Sequence, residues 1–191
     1  MTASSGLVVV KVGGGLSATP GALETVALAL GNAARRHRLL VVPGGGPFAD
    51  AVRAFDRHQG LSADAAHWMA ILAMDQYAYV LVERIPGAVL VEVPGAIRTA
   101  VGQAGVAVLA PSRWLRAADV LPHDWSATSD SAAAFVAGAL DAARLVLIKP
   151  ASGGGAEEMV DPCFQSVLPA GLPWSVMGWE EVDRLEEVLG S

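Results

Sequence analysis

The sequence predicts a three-layer α/β/α sandwich on a mainly parallel central sheet, with residues 1–191 as a single domain. Three observations carry that expectation. Short branched apolar runs alternate with longer alanine-rich segments, the runs are apolar on both faces, and glycines gather just after them. A chain that is 53% apolar and 17% charged has material for a large buried core, which excludes a disordered segment.

In order, residues 7–12, 39–42, 89–91, 106–109 and 145–148 read as central strands, because neither of their faces is polar. Helices are predicted at about 20–36, 48–57, 63–84, 96–103 and 129–140, the first with Pro20 in its opening turn. A last helix is predicted over 180–189. Strands separated by helices imply right-handed crossovers and a sheet covered on both sides. The basic group Arg35-Arg36-His37-Arg38 falls at a predicted helix end, where cations complement the helix dipole.

Thirteen basic against 19 acidic residues give a net charge of −6, and no basic cluster offsets it, so nucleic acid is not an expected partner. The single cysteine, Cys163, forms no internal disulfide and suits a reducing compartment. His37, His58, His67 and His123 lack metal-ligand spacing, so no side-chain metal site is expected. The start has no basic segment and the apolar run 7–10 is too short for a signal peptide. Asp141 and Arg144 interrupt the most apolar later stretch, 132–148, so no membrane span is expected and the expected location is the cytoplasm. Five tryptophans and many apolar residues in a small acidic chain suggest a homo-oligomer.

In parallel sheets, ligands bind beyond the carboxyl ends of the strands, and three glycine triplets fall there: Gly13-Gly14-Gly15, Gly44-Gly45-Gly46 and Gly153-Gly154-Gly155. Backbone without Cβ turns tightly and aims several amides at one anion, so the implied ligand carries phosphate. The third triplet reads equally as a flexible flap. Neither the P-loop pattern nor the dinucleotide fingerprint is present.

Only two of the thirteen basic residues are lysines, Lys11 and Lys149, and both sit at strand ends beside glycine-rich loops. A lysine in a buried strand requires a negative partner. Lys149, at a loop edge, reads either as catalytic or as a solvated side chain. Asp130 opens a predicted helix; it is either a first-turn carboxylate favoured by the dipole or a holder that aims both ammonium groups at a transferring phosphoryl group.

Lys11-Val12-Gly13-Gly14-Gly15, then residues 42–48 (Val-Pro-Gly-Gly-Gly-Pro-Phe), then residues 126–133 (Ser-Ala-Thr-Ser-Asp-Ser-Ala-Ala), in this order, resemble the amino acid kinase superfamily, which includes acetylglutamate, aspartate, carbamate and uridylate kinases. The resemblance covers almost the whole chain. It implies ATP with Mg²⁺, Lys11 on the transferred phosphoryl group, the first two triplets along the phosphates, and Asp130 orienting lysines. It also implies that residues 147–162, with Ser152, Gly153, Gly154 and Asp161, border the nucleotide. Within the superfamily, the segment His67 to Tyr77 looks most like small kinases of methanofuran-type cofactor synthesis, which convert aminomethylfuran-methyl phosphate to its diphosphate. Such a phosphate monoester is largely dianionic at neutral pH and needs no general base.

Helical geometry places Trp68, Leu72, Asp75 and Tyr79 on one face, so Trp68 and Asp75, with His67, are candidate substrate contacts for a ring and an ammonium group. Equally, Asp75 bonds a neighbouring helix or a partner subunit, and Trp68 is a core or interface residue. The chain departs from the superfamily in having no lysine after Lys149 and in replacing the usual Asp-Gly element with residues 150–155. Either Lys149 serves as the second lysine, or one lysine with amides and Mg²⁺ suffices. Two rival activities remain: an acyl-phosphate-forming kinase, using Arg53, Arg98 or Arg113 for the carboxylate, and a non-catalytic nucleotide or oxyanion binder.

Overall fold

In the computed structural model, which describes residues 6–151, 153 and 155–190, all five predicted strands form and a sixth joins them. The strands are β1 (Leu7–Val12), β2 (Arg38–Pro43), β3 (Val89–Val91), β4 (Val106–Leu109), β5 (Arg144–Lys149) and β6 (Trp174–Gly178). Their order is β3-β4-β2-β1-β5-β6, every pairing parallel. β1 lies centrally, with β2 on one side and β5 on the other. The chain moves outward from β1 to β2 and later returns to β5, so the switch point of the sheet lies at the carboxyl end of β1.

The reading of residues 89–91 as a central strand is corrected: β3 is an edge, and Val89 is exposed. The other edge, β6, was not predicted, because Trp-Ser-Val-Met-Gly has neither a branched run nor a clean alternation. Two predicted helices also change at their ends. α1 spans Ala22–Ala33, with Pro20 lying before its N-cap Gly21, and it stops before the basic group, whose Arg38 opens β2. Residues 180–189 divide into a 3₁₀ segment, Trp179–Arg184, and a final helix, Leu185–Gly190.

The other helices are α2 (Gly46–Gln59), α3 (Ala63–Arg84), α4 (Pro94–Ala104), the unpredicted α5 (Ser112–Ala118), α6 (Ser129–Ala139) and α7 (Phe164–Val167); the final helix is α8. α3 has the bounds its sequence predicts; it begins where the Ser62 side chain accepts from the Ala65 N–H and ends before Pro86.

Side chains alternate across the sheet and divide the core in two. Val8, Val10, Val12, Val146 and Ile148 join α1, the second half of α3 and α8 on one face. Val9, Leu145 and Leu147 join α4 and α6 on the other. By the same parity, Lys11 and Lys149 continue the face that α6 covers. The two strands thus deliver both lysines to the opening turn of that helix.

Two loops interlock at the carboxyl ends of β1 and β2. The Gly44 N–H donates to the Val12 carbonyl at 2.8 Å, and a Cβ on Gly14 would run into the backbone of Gly46. Gly14→Ala is therefore expected to destabilise the protein by about 2 kcal/mol through overpacking. Gly102→Ala, at an exposed position inside α4 with open space around it, is expected to stabilise by about 1 kcal/mol. Urea denaturation of both variants checks the pair of opposite signs.

Candidate active site

Lys11 and Lys149 both reach Asp130. Lys11 Nζ lies 2.8 Å from Asp130 Oδ1 and Lys149 Nζ lies 2.5 Å from Asp130 Oδ2. The register explains the convergence: Lys11 pairs with Leu147 on β5, so Lys149 is two residues, about 6.6 Å, further along. One carboxylate bridges the gap with its two oxygens. The Lys11 and Asp130 side chains are almost fully buried, and Lys149 is only 14% exposed.

Burial alone would raise the Asp130 carboxyl, but the two ammonium charges outweigh it and hold its pKa below the ordinary carboxylate value. The Lys149 ammonium is pushed the other way: burial, then the positive charge of Lys11, lower its pKa despite Asp130. With both amines protonated and the carboxyl ionised, the triad carries one net positive charge.

These three groups form the inner end of a cavity of about 530 Å³. Gly14, Gly15, Gly45 and Gly46 line it, whereas Gly13 and Gly44 do not. The difference is one of hydrogen bonding. The Gly13 N–H donates to the Ile148 carbonyl at 2.9 Å and that of Gly44 to Val12, so neither amide is left for a ligand. The other four donate to no other loop or strand among the described residues. Thr128, Ser129 and Asp130, at the start of α6, also line the cavity and add the positive end of its dipole.

Asp161, expected to border the nucleotide, faces the opening turn of α6. It is buried, and its carboxylate accepts from the N–H and Oγ1 of Thr128 and from the N–H and Oγ of Ser131. It binds the opening turn of α6 and does not line the cavity. Gly153 is exposed and also stands off the cavity wall; Ser152 and Gly154 lie outside the described residues.

The outer chamber is built by α2, α3 and the loop before α6. Along α2 the lining positions are Gly46, Ala49, Asp50, Arg53 and Asp56, one stripe of a single helix. α3 contributes Ala63, Ala66, His67, Ala70, Ile71 and Met74. Of the predicted substrate contacts on α3, only His67 therefore faces the cavity. Trp68 packs against Arg116, whose guanidinium lies 4.7 Å from the ring centroid. Asp75 accepts from the N–H of Ser112 at 2.9 Å and from its hydroxyl, pinning the start of α5. Leu72 and Tyr79, on the same face, are exposed.

Asp124 and Trp125, in the loop before α6, line the cavity where Asp75 and Trp68 do not. Trp125 Nε1–H donates to Asp56 at 3.2 Å, and Arg53 lies over the Trp125 ring at 4.8 Å while donating to Asp50 at 2.9 Å. Asp124 accepts from Ser126 and is held below the ordinary carboxylate value chiefly by that hydroxyl. His123 bonds Asp64 and Asp119, which raise its pKa, and stacks on His67 with centroids 4.1 Å apart. The loop is thereby fastened to both α2 and α3. No described residues form a group of three His, Cys, Asp or Glu fit to hold a metal ion.

A model of the amino acid kinase family matches residues 6–153. Over 147 residues the chain is 29% identical to the [5-(aminomethyl)furan-3-yl]methyl phosphate kinase of Methanocaldococcus jannaschii, a match that takes in 76% of this chain and 66%, just under two thirds, of that protein. Among solved structures it is similar to the uridylate kinase of Archaeoglobus fulgidus, with a TM-score of 0.67 and 14% identity, over 97% of this chain and 96% of that one. The UMP kinase of Ureaplasma parvum gives 0.68 and 12% over 98% and 96%. The aspartate kinase of Synechocystis gives 0.71 and 14% over 91% of this chain and 38% of its own. At such identities the structural likeness is one of fold.

Removing the shared carboxylate leaves two ammonium groups with no counter-charge, whereas removing Lys149 leaves one matched pair. Asp130→Ala is expected to cost about 3–5 kcal/mol of stability and Lys149→Ala clearly less. The folded-state pKa of Asp130 is depressed, so its contribution is present above the unfolded carboxylate pKa and disappears as pH falls through the folded value. The stability gap between wild type and Asp130→Asn should accordingly shrink below about pH 4. Chemical denaturation from pH 3 to 7 measures it.

Proposed function

This chain belongs to the amino acid kinase family, and from that premise we propose that it is an ATP- and Mg²⁺-dependent phosphotransferase acting on a small phosphorylated amine. The observation that supports this most is the meeting of two buried ammonium groups on one carboxylate, beside four glycines whose amides no other loop or strand takes among the described residues. ATP supplies the phosphoryl group, with Mg²⁺ offsetting the charge of its phosphates. Because Asp130 is already engaged by both lysines, the ion would be held mainly by the phosphates of ATP.

In the transfer, an oxygen of the acceptor's phosphate forms a bond to the γ-phosphorus while the bond to the β–γ bridging oxygen breaks, releasing ADP. Lys11 and Lys149 meet the charge on the transferring group, Asp130 keeps them aimed, and Gly14, Gly15, Gly45 and Gly46 donate amides. No general base is required, since the acceptor is already an anion.

The outer chamber supports an acceptor with a cationic end. Asp56 and Asp124 line it without an ion-pair partner among the described residues, and Trp125 offers an aromatic edge between them. Together with the similarity to the Methanocaldococcus jannaschii kinase, this favours [5-(aminomethyl)furan-3-yl]methyl phosphate, converted to its diphosphate in methanofuran or methylofuran synthesis. Arg53, which also lines the cavity, favours the second reading, an acyl-phosphate-forming kinase for a small carboxylate; Arg98 and Arg113 stand off the cavity. The same proposal puts the protein in the cytoplasm, where ATP is supplied; as a separate fact, none of its described helices is long and apolar enough to cross a membrane. It also makes the protein a homo-oligomer that covers exposed Leu72 and Tyr79 on α3, which sedimentation velocity checks.

ADP release with this phosphate, ATP and Mg²⁺, and phosphorus NMR of the product, test the reading. A diphosphate supports it. A hydroxylamine-trapped product supports the second reading, and ATP binding without turnover supports a non-catalytic role. Lys11→Ala is expected to lower kcat about 10²–10³-fold, and an acceptor lacking the amine to raise KM about tenfold. Lys149 must keep its proton, which it loses as pH rises through its lowered pKa, so kcat should fall on the alkaline side before the ordinary lysine range is reached.

A further inference from the structure

α6 has a cap of its own, since the Thr128 hydroxyl accepts from the Asp130 N–H at 3.4 Å. A second cap comes from a residue thirty positions further along the chain. Both oxygens of Asp161 are used: Oδ2 accepts from Thr128 N at 2.9 Å, Thr128 Oγ1 at 2.8 Å and Ser131 N at 3.0 Å, while Oδ1 accepts from Ser131 Oγ. Burying a carboxylate is costly, and this one has no ion-pair partner among the described residues to offset it. Its four donors all lie on the two residues that bracket Ser129 and Asp130.

We propose that Asp161 is a positioning residue for phosphoryl transfer: by pinning Thr128 and Ser131 it fixes the Asp130 carboxylate on which Lys11 and Lys149 converge. This inference rests on the phosphotransferase reading. The geometry makes a closed circuit. The segment leaving β5 touches Asp130 at its start, through Lys149, and grips the turn around Asp130 at its end, through Asp161. The next turn fastens the same join, with the Cys163 N–H donating to the Ser126 carbonyl at 3.2 Å. One carboxylate spans two lysines rooted about 6.6 Å apart along the strands, so it has little room to shift without losing one. Misplacement by about 1 Å at such a site costs roughly 10²-fold in rate.

Two variants test this, read by kinetics and by amine labelling, which is clean because Lys11 and Lys149 are the only lysines. Asp161→Asn keeps the size of the side chain but turns an amide N–H₂ toward donors. It is expected to lower kcat about 10–100-fold with KM for ATP and acceptor changed less than about threefold. It also removes a charge that itself favours the Lys149 ammonium, so Ser131→Ala, which leaves Asp161 charged, is the discriminating variant. Ser131→Ala should lower kcat by a smaller factor, and the double variant should lose no more than Asp161→Asn alone. Acetic anhydride labelling followed by mass spectrometry should show Lys149 acylated about twofold or more faster at pH 8 in Ser131→Ala, as looser contact with Asp130 releases its proton.

Unchanged kcat and unchanged Lys149 labelling in folded Ser131→Ala would overturn the inference, and this variant serves if Asp161→Asn does not fold. A kcat loss without the labelling change would also overturn it. Labelling needs no turnover: altered labelling in a protein whose wild type transfers no phosphoryl group would sink the phosphotransferase reading while leaving the link from Asp161 to the lysines intact.

Discussion

Two ammonium groups buried within reach of each other repel, and everything at this site depends on the one carboxylate that reconciles them. Asp130 has to sit between two neighbouring strands, and only the start of a helix packed on that face puts it there. The sheet parity, the register of β1 against β5 and the capping of α6 all serve that placement. The energetic cost is real, since burial opposes the charged form of Asp130 and of Lys149 alike. What results is a positive charge held in a largely buried place by fixed partners, which bulk water does not supply.

The cavity is polarised along its length. Its inner end carries two lysines, one aspartate and amide donors; its outer end carries Asp50, Asp56 and Asp124 against Arg53. A wholly anionic molecule is favoured at the first and disfavoured at the second. On the proposed reading, that gradient suits a ligand with opposite charges at its two ends, with selectivity set in the outer chamber and chemistry in the inner one.

Much of the fold was legible because the central strands are buried on both faces and therefore written as unbroken apolar runs. Residues 7–12 and 106–109 have the same bounds in sequence and structure, as does α3. The edges were harder: Val89–Val91 looks central but is not, and Trp174–Gly178 does not look like a strand. At the site, Lys11, Lys149 and Asp130 stood out by rarity and by position. Helical spacing alone did not choose the right face of α3, because a helix apolar nearly all round gives no signal of which side meets the cavity. Asp75 proved to serve α5, through a partner thirty-seven residues away. His123 and Trp125, neighbours in one loop with Asp124, meet Asp64 of α3 and Arg53 and Asp56 of α2 only through long-range contacts, and nothing in their local sequence announces them. The free and spent amides of the glycine triplets likewise differ only by what the sheet takes from them.

One wall of the cavity is a single regular helix, and this ties its two ends together by arithmetic. From Gly46 to Asp56 the α2 stripe climbs ten residues, about 15 Å, without a break. Inserting or deleting one residue between Ala49 and Arg53 would swing Arg53 and Asp56 by about 100° out of the cavity while leaving Gly45 and Gly46 where they are. Descendants of this chain can therefore retune what the outer chamber recognises by substitution, whereas a change of helix length there would uncouple recognition from chemistry in a single step.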